Sequence, residues 1–257
     1  MASMVTSIAA MVTVFLVVAR LGEATVLFHN TGTTPTGWDS VNQEHLGTVT
    51  QVTNVVYKGT TAIKCLQTYD PSYTGRYHSE VVKNNVYKRG DTGFYGFAFR
   101  LQADWEFDNQ IYNIAQFIAD FSDTGCDDYS PTSMVWIKGN QLYTRVKYGN
   151  ICDQHTTTFD PLASVSAGEW HKIVIQASWK SDNTGFYKLW FDGVKKLEQY
   201  NIATTLDDGR YFQFRVGLYA NGWHDENKMV GSQGTRQVWY DQVGAGSTFA
   251  DADPDQW

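Results

Sequence analysis

A chain of 257 residues is long enough for one large all-β domain or two small ones. Its net charge of −7 gives no general attraction to nucleic acid or anionic membranes, so an acidic ligand would need positive charge concentrated in a groove. Aromatic side chains make up 15% of the residues, including nine Trp and fifteen Tyr, enough to fill a core and still leave flat platforms for sugar rings.

The first segment is not part of a fold. Ala9 to Ala19 is a nearly unbroken apolar run, followed by Arg20-Leu21-Gly22-Glu23-Ala24 with small residues at Gly22 and Ala24. It reads as a secretory signal over 1–24, although no Lys or Arg precedes the apolar run. The run is short for a bilayer span, and no later segment is long and apolar enough to be one. The expected mature protein, 25–257, is secreted, extracellular, monomeric and free of the membrane.

Short runs rich in Val, Ile, Thr, Phe, Tyr and Trp then recur at 48–57, 60–68, 76–82, 93–102, 111–120, 133–138, 141–149, 170–180, 185–192, 211–220 and 235–243. Gly, Asn and Asp punctuate them. With no convincing helix, linker or repeat, the pattern predicts one domain of antiparallel strands, a sandwich or barrel. Ser133 to Lys138 and Gln141 to Tyr148 flank Gly139-Asn140, a two-residue hairpin signal. In that register Cys126 and Cys152 face each other to within one residue, which predicts a disulfide in an oxidising compartment. Cys65, in Ala62-Ile63-Lys64-Cys65-Leu66, is left as a buried thiol.

Two faces separate along Tyr211 to Asn221 when read with a period of two. Phe212, Phe214, Val216, Leu218 and Ala220 form a core face. Tyr211, Gln213, Arg215, Gly217, Tyr219 and Asn221 form the other, which holds phenols, a guanidinium and amides but no carboxylate. Such a set suits gripping and deprotonating an acidic sugar. Tyr143, Arg145 and Lys147 alternate with Leu142, Thr144 and Val146, giving a second polar face that can hold carboxylates along a polymer or simply be solvated.

Gly168-Glu169-Trp170-His171-Lys172-Ile173-Val174-Ile175 and Lys188-Leu189-Trp190-Phe191-Asp192-Gly193 resemble the "W-H … D-G" hairpin of concanavalin-like jelly rolls. Phe214-Arg215-Val216-Gly217-Leu218-Tyr219-Ala220-Asn221 is similar to the "F-K-A-G-x-Y-x-Q" strand of jelly-roll alginate lyases. Ala115-Gln116-Phe117-Ile118 resembles their "Q-I-H" strand, and Tyr77-His78-Ser79-Glu80-Val81 their "R-T-E-L-R" strand. Nearly the whole mature chain resembles fungal glucuronan lyases, most strongly over Val216–Trp223, Gly231–Gly246 and Thr248–Pro254. The resemblance implies an antiparallel β-jelly roll acting on an acidic polysaccharide. Two departures stand out: the His of "Q-I-H" is Ile118, and the second Arg of "R-T-E-L-R" is Val82.

The first loss fits the substrate. In a β-linked glucuronate, H5 and the 4-linked oxygen lie on one side of the C4–C5 bond, so elimination is syn and one phenol can take the proton and return it. On this reading Tyr219 is base and acid. Gln116 neutralises the uronate carboxylate as an oxyanion hole would, with His78 as second donor and Arg76 as a weaker one. Tyr219 must lose a proton well below its ordinary value of about 10, which requires a nearby cation. Arg215, Arg145, Lys147 and Asn221 would hold neighbouring sugars. The family also implies a structural calcium ion, with Asp241 as ligand, a side chain near Asn30, and carbonyls near Tyr57-Lys58-Gly59. No His/Cys cluster suggests zinc.

Three alternatives compete. One is a lyase for alginate or another polyuronate. A glycoside hydrolase would need paired carboxylates, and the nearest stretch, Glu106-Phe107-Asp108-Asn109-Gln110-Ile111, lacks a final acid. A noncatalytic carbohydrate-binding jelly roll would not need Gln116 and Tyr219 to converge.

Overall fold

The computed structural model describes residues 25–257, so the expected signal segment lies outside the described residues. In chain order the strands are β1 (Val26–Asn30), β2 (Ser40–Gln43), β3 (Thr48–Val52), β4 (Ala62–Thr68), β5 (His78–Lys88), β6 (Thr92–Leu101), β7 (Ile111–Asp120), β8 (Tyr129–Lys138), β9 (Gln141–Asn150) and β10 (Asp153–Thr158). They continue as β11 (Ala163–Ser164), β12 (Trp170–Ser178), β13 (Gly185–Phe191), β14 (Val194–Ile202), β15 (Tyr211–Tyr219) and β16 (Thr235–Gly246). Two short helices follow β15 and β16: α1 (Asn221–Asp225) and α2 (Phe249–Ala252).

The strands form two antiparallel sheets. One runs β14-β13-β12-β6-β16-β4-β3 with β1 beside β16; the other runs β10-β9-β8-β7-β15-β5-β2 with β11 beside β9. Their inner faces share one apolar core, giving the β-sandwich of a jelly roll. Phe212, Phe214, Val216, Leu218 and Ala220 are all fully buried in it, as the alternation on β15 predicts. Trp179 stacks on Tyr87 with centroids 4.0 Å apart and donates to Tyr95 Oη at 3.0 Å. Tyr240 of β16 crosses between the sheets, its hydroxyl bonding Ile114 O and Gly217 O.

The β8–β9 hairpin has the expected register, Ser133 opposite Val146 and Lys138 opposite Gln141. Cys126 and Cys152 are disulfide-bonded beyond its open end, with Cα atoms 5.1 Å apart. Cys65 is the buried free thiol, its ionisation pushed up by burial and by Glu80. The Asp192-Gly193 turn joins β13 to β14 with both residues at positive φ, 49° and 77°.

Several strands escape the sequence pattern. β2, β10 and β14 end their sheets, so their outward positions are polar and the apolar alternation is weak. The run expected over 48–57 stops at Val52, where the chain enters a looped segment.

Candidate active site

A cleft of about 720 Å³ lies on the outer face of the second sheet. Its lining comes from six adjacent strands and the turns that leave them: Val41 on β2, His78 on β5, Tyr219 on β15, Gln116 on β7, Met134 on β8 and Arg145 on β9. Six strands about 4.8 Å apart span roughly 24 Å, room for several sugar rings.

Pairing sets the centre. Tyr219 lies opposite His78, Gly217 opposite Glu80, and Arg215 opposite Gln116, so these side chains share one face. The His78 and Tyr219 rings are 3.9 Å apart, tilted by 31°. Gln116 donates from Nε2 to Glu80 Oε1 at 2.7 Å. A side chain at Gly217 would meet Ser79 O at 2.3 Å and Glu80 Cγ at 2.9 Å, so glycine here makes room for Glu80 to reach under the cleft.

Glu80 is fully buried, and Oε2 has no hydrogen-bond partner; Arg215 faces it at 3.6 Å. Arg215 also donates twice to Gln213 Oε1, at 2.8 and 2.6 Å. Its charge is therefore directed inward, although it still lines the cleft. Arg145 is less well satisfied. One nitrogen reaches Met134 Sδ at 2.8 Å while Nε has no partner, and burial lowers its pKa against the pull of Asp225. Arg76 is exposed at the cleft wall. Lys147 is outside the lining, bonded to Ser130 Oγ at 3.0 Å, with its pKa lowered by burial and by Arg145.

Asn221 is not on the strand. β15 stops at Tyr219, and Asn221 opens α1, accepting Asn113 N at 3.2 Å while Nδ2 faces Asp225 at 3.4 Å. It lines the cleft from the turn. Ile118, where the related strands have His, also lines it.

Tyr219 does not meet the expected lowering of its pKa. Burial pushes the phenol well up, Asp225 adds to this, Arg76 opposes it, and Glu80 and Glu44 raise it further. It therefore remains a phenol at neutral pH. His78 takes up a partner that sequence reasoning missed: Nδ1 lies 2.8 Å from Glu44 Oε2, which also accepts the His78 amide at 3.2 Å. Glu44 and Glu80 carried no signal of their own because each acts from behind a neighbour on an adjacent strand. Both fall at register positions, opposite His78 and Gly217, that strand pairing could have exposed.

The stretch considered for hydrolysis is structural. Asp108 pairs with fully buried Arg236 at 2.5 Å, and Glu106 Oε2 accepts the amides of Ser232 and Gln233, both at 2.8 Å. His171 likewise bonds Asp192 and Ser166.

The proposed calcium ligands divide. Asn30 Oδ1 is committed to the amides of Gly32 and Thr33, which organise the turn after β1. Asp241 is fully buried, and its oxygens accept only N–H groups, those of Tyr57, Lys58 and Gln242. Burial raises its pKa, and no Lys, Arg or His pairs with it among the described residues. The Gln242 NH2 sits between Asp241 Oδ1 and Lys58 O, leaving Gln242 Oε1 buried without a partner. A buried carboxylate without a counterion, beside a carbonyl and an orphaned amide oxygen, fits a hard cation. Asn30 does not belong to that set.

An all-β sandwich with a polymer-length cleft of phenol, imidazole, amide and guanidinium is suited to an acidic polysaccharide. A family model described as polysaccharide lyase matches residues 29–244. The chain belongs to that family: it is a lyase, and its substrate is an acidic polysaccharide. The endo-β-1,4-glucuronan lyase of the fungus Trichoderma reesei is 57% identical over 91% of this chain and 100% of that one, with a TM-score of 0.89. Two further structures share the fold alone. They are the cellulose-induced protein Cip1 (15% identity, 85% of this chain, 97% of that one, TM-score 0.53) and a carbohydrate esterase of Shiga toxin-encoding bacteriophage phi24B (12%, 88%, 99%, 0.52). A comparison with curated proteins gives no match.

Proposed function

We propose that the chain is a secreted endo-acting lyase that cleaves β-1,4-linked polyglucuronate by syn β-elimination, leaving an unsaturated uronate at the new end. The observation that carries this reading is the convergence of Tyr219, His78 and Gln116 on one cleft, in a chain 57% identical to a glucuronan lyase. A purely binding module would have no need of that convergence. Residues 1–24 would direct export.

The chemistry follows from the placement. Gln116 spends one N–H on Glu80, so its second is free for the uronate carboxylate, stabilising the charge that grows as C5 loses its proton. Tyr219 first gives its own proton to a neighbouring base; as phenolate, Oη then takes the C5 proton and returns it to the departing 4-linked oxygen as C4=C5 forms and C4–O breaks. Arg145, with an unpartnered Nε, and exposed Arg76 hold carboxylates of neighbouring sugars; Arg215, Asn221 and Lys147 support the cleft wall. We also propose calcium at Asp241, with Lys58 O and Gln242 Oε1 as further oxygens. There it would neutralise a buried charge and tie the 57–59 segment to β16.

Comparing two variants on glucuronan tests the assignment. Tyr219→Phe removes only a hydroxyl and should lower kcat by about a thousandfold with the fold intact. Arg145→Ala should mainly raise KM. Near-normal turnover in Tyr219→Phe would reject the tyrosine as the reacting group.

A further inference from the structure

Resting on that reading, we propose that Glu44 is a positioning residue for the elimination. It holds the His78 imidazole in the tautomer with the proton on Nδ1, so that Nε2 is left to accept a proton instead of serving the uronate carboxylate as the second donor expected from sequence.

The geometry is specific. Glu44 follows β2, and its amide donates to His78 O at 2.9 Å, continuing the β2–β5 ladder one residue beyond Gln43 opposite Ser79. The backbone thus fixes Glu44 beside His78 before any side chain is considered. One carboxylate oxygen, Oε2, then accepts both the His78 amide and Nδ1. A carboxylate only accepts, so a neutral imidazole donating to it carries its hydrogen on Nδ1. The carboxyl is itself held below its usual range: burial raises it, but the contacts with His78, aided by Arg76, outweigh that. His78 is 6% exposed, and its ring lies 3.9 Å from the Tyr219 ring, inside the cleft.

This arrangement answers the problem posed by Tyr219, whose phenol is held protonated by burial and by neighbouring carboxylates. As the phenol is recruited, its O–H bond breaks and an N–H bond forms at His78 Nε2, giving tyrosinate and imidazolium. The tyrosinate takes the C5 proton, then passes that proton to the departing O4. His78 returns its proton to Tyr219, and both side chains end as they began. Glu44 faces the Nδ1 side of the imidazolium throughout and stabilises its charge. A His78 locked the other way would present N–H to the phenol and could not accept.

Two readouts test this. Long-range ¹H–¹⁵N spectra of the imidazoles, with His78 assigned by the signals lost in His78→Gln, should show Nδ1 protonated and Nε2 bare in the wild type. Glu44→Gln, whose amide oxygen still accepts, should keep that tautomer and stay within about fivefold of wild-type kcat. Glu44→Ala should move the proton to Nε2 and lower kcat by about a hundredfold, with KM changed less than about threefold. A wild-type Nε2–H tautomer would overturn the proposal, as would an unchanged kcat in a folded Glu44→Ala; if that variant does not fold, the wild-type tautomer and the Glu44→Gln rate decide. A wild-type protein inactive on every polyuronate would instead remove the lyase reading itself.

Discussion

Two buried acids define the residue scale: Tyr219, where Arg76 offsets only part of the rise, and Asp241, which no Lys, Arg or His pairs with among the described residues. A desolvated acid is pushed toward its neutral form unless something compensates. For Tyr219 the proposed compensation is kinetic, a proton acceptor reached only as the reaction begins. For Asp241 the proposed compensation is a permanent cation, and this is directly testable. Calcium at about a hundred times its dissociation constant adds roughly 2.7 kcal/mol to stability. A chelator should therefore lower the melting temperature of the wild type by several degrees and leave that of Asp241→Asn unchanged. Equal melting curves with and without chelator would remove the metal. That Tyr219, Gln116 and His78 share one cleft was legible because each sits in a recognisable strand. Glu44 and Glu80 were not, since their roles depend on cross-strand pairing that a linear pattern does not display. Asn30, placed near a calcium ion by the family resemblance, instead serves its own turn.

Strands with one buried face were easy to read, and those at sheet edges were not. β15 alternates without interruption, because one side meets the core and the other forms the cleft floor. β10 and β14 are mostly exposed, so nothing enforces a period. The alternation also overran its strand: Ala220 is buried, yet the chain turns there and carries Asn221 into α1. The β8–β9 hairpin fixed the disulfide because register is arithmetic once the turn is known. That bond closes a 26-residue separation and braces the segment holding Asp128 and Tyr129 on the cleft wall. Replacing both cysteines by serine should cost about 3 kcal/mol in urea unfolding and raise KM more than it lowers kcat. Unchanged stability would show that the hairpin alone orders the segment.

At the scale of the whole molecule, an acidic protein meets an acidic polymer by placing Arg76, Arg145 and Arg215 among the polar groups of one cleft. The opposite sheet contributes the other half of the core, and Tyr240 ties it to the strands beneath the cleft. The fold class followed from many short strands and two tight turns. The substrate class came from the family resemblance, because composition and strand alternation carry no information on sugar configuration. The most direct test incubates the purified protein separately with glucuronan, polymannuronate and polyguluronate while following the ultraviolet absorbance of the conjugated C4=C5 uronate. A steep rise with glucuronan, and little with the other two, is the predicted result; absence of any rise with all three polymers would contradict the account and leave a protein that only binds them.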